Sequence, residues 1–292
     1  MSDPAARIHA LPIWSGPIAV APVTGGLSNA NFRVVDGDRR YLVRVGGDLP
    51  FHHVFRDREA AVSRAAHAAG LSPALLHAGD GVAVFEFLDA RTCDAGDVRR
   101  DWRRMLPLVR RCHAEVGRQL AGPATFFWVF HVIRDYAATL RAGRSRIVGD
   151  LPRLLAVADR LEALQVPMPV VFGHHDLLPA NLMDSGDRLW LVDWEYGGYG
   201  TPLFDLSNLA GNAGMAPDDE RAMLEAYFGR PPDVALWRAY RAMSVASLLR
   251  ESLWSLVSEI HMDAPGVDYE AYTADNLGRF EAALAGFEEN ER

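Results

Sequence analysis

The periodicity of apolar and polar residues changes along the chain and divides it in two. Residues 19–45 read as β-structure. Asn31-Phe32-Arg33-Val34-Val35 and Arg40-Tyr41-Leu42-Val43-Arg44-Val45 flank Asp36-Gly37-Asp38, a hairpin turn. Residues 59–69 form an Ala-rich helical stretch that Gly70 and then Pro73 bring to a stop. Leu75-Leu76-His77 and the apolar run from Val82 to Leu88 bracket a turn at Gly79-Asp80-Gly81. Beyond residue 88 the apolar positions recur at helical spacing, over residues 98–119, 128–142 and 152–164, then 219–228, 234–261 and 269–287. Two short β-favouring runs interrupt the helices. Val170-Val171-Phe172 and Leu189-Trp190-Leu191-Val192 read as two strands joined by a turn at Asp184-Ser185-Gly186-Asp187. The pattern predicts an α+β chain with a small β-rich N-lobe over residues 1–88, a linker around residues 86–91, and a larger helical C-lobe over residues 89–292.

Composition narrows the function. At 292 residues, 49% apolar and 23% charged, the chain can bury a large core and is ordinary for a globular protein. Its net charge of −8, without a basic run interleaved with aromatics, makes nucleic acid an unexpected partner. Cys93 and Cys112 match neither a disulfide framework nor a zinc spacing, which fits a reducing cytoplasm. Residues 8–32 lack charge, but Pro12, Pro17 and Pro22 with Gly16, Gly25 and Gly26 break the stretch. No membrane span or signal peptide is expected there. All 30 basic residues are Arg. Any side-chain cation that meets a phosphate must therefore be a guanidinium.

The chemistry concentrates in His174-His175-Asp176-Leu177-Leu178-Pro179-Ala180-Asn181, followed by Leu191-Val192-Asp193. One carboxylate, an amide oxygen five residues on and a second carboxylate seventeen residues after the first are what phosphoryl transfer from a nucleotide needs. Asp176 would orient the attacking hydroxyl, while Asn181 and Asp193 would hold the magnesium that bridges the phosphates. An isolated Asp-Leu-Leu-Pro could instead cap a helix. Here the flanking β-favouring runs supply a framework able to bring the three side chains together.

This core, with Phe172-Gly173 before it and Trp194-Glu195-Tyr196 after it, resembles the choline/ethanolamine kinase branch of the aminoglycoside phosphotransferase-like superfamily. Gly25-Gly26-Leu27-Ser28-Asn29-Ala30-Asn31-Phe32-Arg33-Val34 is similar to that branch's first hairpin. The resemblance implies a two-lobed protein-kinase-like fold, a small antiparallel sheet above a mainly helical lobe, acting on a small molecule with ATP and Mg2+. It also implies roles. His174 would brace the catalytic loop, and Asp205 would buttress it. Gly25, Gly26, Ser28 and Asn29 would turn over the phosphates, Arg44 would contact the nucleotide with Glu59 as its helix partner, and Glu86 and Leu88 would lie in the adenine-contacting linker.

For the acceptor, aromatic faces and carboxylates suit an ammonium group. Glu195 and Tyr199 follow the metal-binding Asp193, and Glu251 and Trp254 share a helix face. The resemblance implies substrate contacts in both segments. Glu251 stands where choline kinases often carry another aromatic residue, so an all-aromatic cage is not implied. For Trp254 and Glu251, core packing and a solvated surface charge fit the sequence equally well. The expected function is ATP-dependent phosphorylation of a small amino alcohol of the choline or ethanolamine type. Kinases of aminoglycosides or other hydroxylated metabolites are the alternative, and a catalytically silent nucleotide-binding regulator is a third reading. The expected partner is a hydroxylated, cationic small molecule, with a homodimer left open.

Overall fold

The computed structural model describes residues 3–23, 29–264 and 266–291. Its N-terminal part begins with helix α1 (Pro4–His9), then β1 (Ile18–Val23), β2 (Ala30–Asp36) and β3 (Arg39–Val45). Helix α2 (Arg56–Ala68) and the hairpin β4 (Leu75–Gly79) and β5 (Val82–Glu86) complete it. The five strands form one antiparallel sheet in the order β1-β2-β3-β5-β4. Asp36 pairs with Arg39, which leaves a two-residue turn in which Gly37 supplies the positive φ of 59°. Val34, Val43, Val45, Val82 and Val84 pack against Ile8 of α1 as a small separate core.

The sheet and α2 do not share that core. Val62, Ala65, Ala66 and Ala69 of α2 and its C-terminal flank belong to the large core of the rest of the chain. Their small side chains let the α2 backbone come close to the helices below. The helix that carries Glu59 is thus fixed to the C-lobe by burial while it also packs on β4 of its own sheet.

The C-lobe contains β6 (Arg91–Thr92), α3 (Ala95–Arg111), a π-helical turn at Cys112–Val116, α4 (Gly117–Gln119), α5 (Val129–Ala142) and α6 (Leu151–Glu162). Next come β7 (Val171–Gly173), a 3-10 turn at Pro179–Asn181, β8 (Leu182–Asp184), β9 (Leu189–Leu191) and β10 (Gly198–Gly200). Four helices follow: α7 (Pro202–Ala213), α8 (Pro217–Phe228), α9 (Val234–His261) and α10 (Tyr269–Glu289). Asp94 and Asp97 cap α3 reciprocally, each side chain accepting from the other's backbone N–H. The 28-residue α9 runs through the middle, packed on α5, α6, α7 and α10, with buried residues around most of its circumference.

Two readings of the sequence are corrected here. The β-favouring runs at 170–172 and 189–192 are not partners. β7 pairs with β10, whereas β9 pairs with β8 across the turn at residues 185–188. The 3-10 turn between β7 and β8 redirects the chain, and three-residue strands carry no pattern that names their partner. Residues 98–119 are also not one helix, because α3 starts at Ala95 and gives way to the π-helical turn. Helix α7 was not read as a helix from the sequence, since it is buried on nearly all sides and has little amphipathic stripe.

β7 and β10 are glycine-rich because a histidine ring lies against them. A Cβ on Gly200 would meet His175 Nε2 at 2.6 Å and the Phe127 carbonyl at 2.9 Å. Gly200→Ala should therefore cost about 1–3 kcal/mol through overpacking. Gly278 lies inside α10 with nothing within 4 Å of an added methyl and no positive φ, so Gly278→Ala should add roughly 0.4–1 kcal/mol. Urea midpoints of the two variants should move in opposite directions; a shared direction would contradict the packing described.

Candidate active site

The site is built from a bend that Asp205 fixes. Asp205 lies in the first turn of α7, and its two carboxylate oxygens accept the backbone N–H groups of His174 and His175, each at 2.8 Å. His113, presented by the π-helical turn, adds a ring contact at 2.9 Å and reaches Tyr227 with its other nitrogen at 2.7 Å. Burial alone would raise the Asp205 carboxyl, but the His113 hydrogen bond and the neighbouring His175 and His174 hold it below the ordinary carboxylate range. With its N–H tied down, His175 takes a left-handed φ of 62°. Its ring stacks on Phe127 at 4.4 Å and contacts the Tyr196 carbonyl at 3.1 Å. His174 is fully buried, with Nε2 3.0 Å from the Val192 carbonyl. The two histidines thus join the bend to the strand end that leads into Asp193.

Beyond the bend, the 3-10 turn carries Asn181 back over Asp176. The Asn181 amide nitrogen donates to the Asp176 backbone carbonyl at 2.8 Å and to its side-chain Oδ2 at 3.0 Å. The Val192 N–H donates to the Asn181 carbonyl at 3.0 Å, which sets Asp193 beside this pair. Asp193 also has a left-handed φ, 68°, so the chain turns sharply two residues beyond β9. Burial pushes the Asp176 carboxyl well above the usual carboxylate range; Arg250 is the main charge opposing that rise.

From above, two guanidinium groups close the arrangement. Arg44 on β3 pairs with Glu59 of α2 and, through Nη1, with Asp193 Oδ1 at 2.8 Å. Arg56 bonds Glu59 at 2.7 Å, Glu195 at 3.1 Å, the Asn29 side-chain oxygen at 2.7 Å and the Gly47 carbonyl at 2.8 Å. Burial and the nearby Asp193 push Glu195 up to about 6, against the pull of Arg56. Glu86 ends β5 exposed, its N–H donating to the Ala74 carbonyl at 2.9 Å, and Leu88 is half-buried just beyond. Gly25, Gly26 and Ser28 lie outside the described residues.

The four residues expected around the acceptor do not form one cluster. Glu251 and Trp254 come together on α9, where Glu251 accepts from the Tyr272 hydroxyl at 2.8 Å and Trp254 donates to the Tyr196 hydroxyl at 2.9 Å. One face of Trp254 is closed by His52, stacked at 4.6 Å. Glu195 belongs instead to the Arg56 network. Tyr199 is a correction. Within β10 it pairs with Phe172, packs edge-on against that ring at 5.3 Å, and donates weakly to the Gly117 carbonyl at 3.4 Å. Tyr196, outside the strand, is the residue that reaches α9, where its hydroxyl accepts from Trp254. Sequence reasoning also passed over Arg56, His113, Arg250 and Tyr272. A charged residue inside the apolar face of a long helix was the available signal for Arg250.

Comparison with known proteins agrees with this geometry. Residues 19–243 match the model of the phosphotransferase enzyme family. Protein LicA of Haemophilus influenzae is 23% identical over 272 residues, covering 91% of this chain and 79% of the relative. A choline/ethanolamine kinase family protein from Mesorhizobium loti superposes with a TM-score of 0.73 at 28% identity, over 96% of this chain and 92% of that one. The choline kinase LicA from Streptococcus pneumoniae shares the fold, with a TM-score of 0.72 at 22% identity over 92% and 94% of the two chains. The chain belongs to the phosphotransferase enzyme family and has its two-lobed, protein-kinase-like α+β fold.

The enclosed His175 yields a pH prediction. Burial lowers its pKa to about 4 despite the opposing charge of Asp205, whereas an unfolded histidine titrates near 6.5. Its contribution to stability is therefore complete above about pH 6.5 and declines as pH falls toward 4, where the unfolded chain binds a proton that the folded chain refuses. The loss over that window is on the order of 3 kcal/mol. The difference in unfolding free energy between the wild-type protein and His175→Gln isolates this term from the carboxylates. That difference should shrink as pH falls from about 7.5 to 4.5; a pH-independent difference would rule out a neutral buried imidazole.

Proposed function

We propose that this phosphotransferase moves the γ-phosphoryl group of ATP to the hydroxyl of a small amino alcohol, of the choline or ethanolamine type, with Asp176 as the residue that receives the hydroxyl proton. The observation that carries the reading is the pairing of Asp176 with Asn181, held beside Asp193 by the backbone bond from Val192 to Asn181. That is the carboxylate–amide–carboxylate set phosphoryl transfer requires. The names of the Mesorhizobium and Streptococcus relatives support an amino-alcohol acceptor.

In this scheme the acceptor oxygen attacks the γ-phosphorus as its proton passes to Asp176. The bond from that phosphorus to the bridging oxygen breaks, and ADP leaves with the electron pair. The raised affinity of Asp176 for a proton suits it to this task, and the Asn181 hydrogen bond fixes which of its oxygens faces the hydroxyl. Asn181 and Asp193 fit a magnesium ion. The amide nitrogen of Asn181 is committed to Asp176 and one oxygen of Asp193 to Arg44, leaving an amide oxygen and a carboxylate oxygen as hard donors. Bound there with the nucleotide, magnesium would neutralise the phosphate oxygens. Arg44, held between Glu59 and Asp193, would supply the phosphate-facing cation that a lysine supplies elsewhere.

Asp176→Asn should leave nucleotide affinity nearly unchanged while turnover falls about 10²- to 10⁴-fold. Turnover within a few-fold of wild type would remove Asp176 from this role. Arg44→Ala should raise the Michaelis constant for ATP by roughly 10-fold or more and leave that for the acceptor nearly constant. A shift confined to the acceptor constant would place Arg44 in the wrong half of the site.

A further inference from the structure

Arg250 is a buried charge whose hydrogen-bonding capacity is only half used. It lies on α9 beside Glu251 and is 2% exposed. Its Nη1 bonds Glu251 at 3.0 Å, and its guanidinium carbon sits 4.5 Å from the centre of the Tyr196 ring. Nε and Nη2, both sealed from solvent, have no hydrogen-bond partner among the described residues. A guanidinium with two orphaned buried donors is costly, because water is excluded and nothing in the protein replaces it. The surroundings are those of the proposed acceptor site. Tyr196 also holds Trp254, Glu251 also holds Tyr272, and Arg250 is the principal opposing charge on Asp176.

The two unpartnered donors are not an arbitrary pair. Nε and Nη2 lie on one edge of the planar guanidinium, with parallel N–H vectors spaced to meet both oxygens of a carboxylate. Nη1, on the outer corner, is the nitrogen spent on Glu251. A protein cation already covers the face of Tyr196, where the ammonium of a simple amino alcohol would gain cation–π stabilisation. An ammonium placed at that ring would meet like charge. A planar oxyanion would complete the fork.

We infer that Arg250 sets acceptor specificity by binding a carboxylate, so that the acceptor is a hydroxy amino acid: an amino alcohol that also carries a carboxyl group. This rests on the phosphotransfer reading of Asp176 but not on its choline- or ethanolamine-type acceptor, which it replaces with a carboxylated amino alcohol. The hydroxyl faces Asp176, the carboxylate closes the Nε–Nη2 edge of Arg250, and the ammonium is left to the carboxylate of Glu251. Glu251 has a second function in this arrangement. By holding Nη1 it fixes the plane of the guanidinium and therefore the direction of the open edge.

Matched pairs of acceptors test the inference, because serine and ethanolamine differ only by the carboxylate, as do threonine and 1-aminopropan-2-ol. With the full chain, MgATP and ADP release as readout, the carboxylated member of each pair should have the higher kcat/KM, by on the order of 10- to 100-fold. Arg250→Met should erase that ratio mainly through the acceptor KM, and Glu251→Gln should reduce it. Calorimetric binding of the same four compounds to the wild-type protein reads the inference without turnover and without relying on a foldable variant. Tighter binding of the carboxylated members supports the Arg250 assignment even if no phosphoryl transfer occurs, in which case the phosphotransfer reading is what fails. Turnover or binding that favours ethanolamine and 1-aminopropan-2-ol, or that ignores the carboxylate, overturns the inference while leaving Asp176 in place. Absence of binding by all four compounds overturns it as well.

Discussion

The sharing of two guanidinium groups among three carboxylates between the lobes is the interaction on which the rest of the arrangement depends. Arg44 spans Glu59 and Asp193, and Arg56 spans Glu59 and Glu195. The carboxylates come from two distant parts of the chain, Glu59 from α2 and Asp193 and Glu195 from the segment between β9 and β10. Charges this enclosed are stable only if each is matched, and a planar five-donor fork can match two or three acceptors at once where an ammonium would act as a point charge. The absence of lysine is therefore no handicap here. The set nevertheless carries one carboxylate more than it has cations, and Glu195 is raised first by burial and then by the neighbouring Asp193. A site with surplus negative charge and oxygen donors is suited to a divalent cation.

A second constraint holds the lower half. Asp205 binds two consecutive backbone N–H groups and one imidazole, and so fixes the bend before Asp176 without touching Asp176 itself. The conformations it enforces are unusual ones. His175 takes a left-handed φ, and Gly173 and Gly200 make room for its ring. Such strain persists because the surrounding bonds overdetermine it. The π-helical turn has the same origin, since it presents His113 to Asp205 at the point where α3 would otherwise continue.

The chain shows its local structure openly and its long-range structure poorly. The β2–β3 hairpin follows from Asp36-Gly37-Asp38, and α9 runs over the residues whose apolar spacing marks it. The grouping of Asp176, Asn181 and Asp193 was legible because a short loop and one strand set all three positions. Strand partnership was not legible. β7, β8, β9 and β10 are three residues each, too short for an alternating pattern, and their pairing depends on a 3-10 turn and on Asp205 some thirty residues away. Tyr199 was misplaced for the same reason. Only the register of β10 against β7 reveals that it follows Phe172 into the core while Tyr196 turns toward α9. Arg250 was passed over although its charge inside the apolar face of α9 departs from the rule by which cores are read.

Charge balance ties the acceptor pocket to the proposed chemistry. Burial makes Asp176 a stronger base than an ordinary carboxylate, and Arg250 limits how far that rise goes. Without a cation nearby, Asp176 would hold its proton so firmly that it could not begin the reaction as a base; with an unshielded cation in contact, it would be too weak a base to take one. Arg250 opposes the rise without abolishing it, and Glu251 and the Tyr196 face share its charge. A zwitterion entering the pocket adds no net charge, so it can complete the guanidinium and meet the carboxylates without disturbing that balance. A simple cation would oppose Arg250 and compete with it for the same ring and the same Glu251. The residue that narrows the acceptor is on this argument also the one that tunes the base, which is why a neutral substitution there should change both specificity and the pH dependence of turnover.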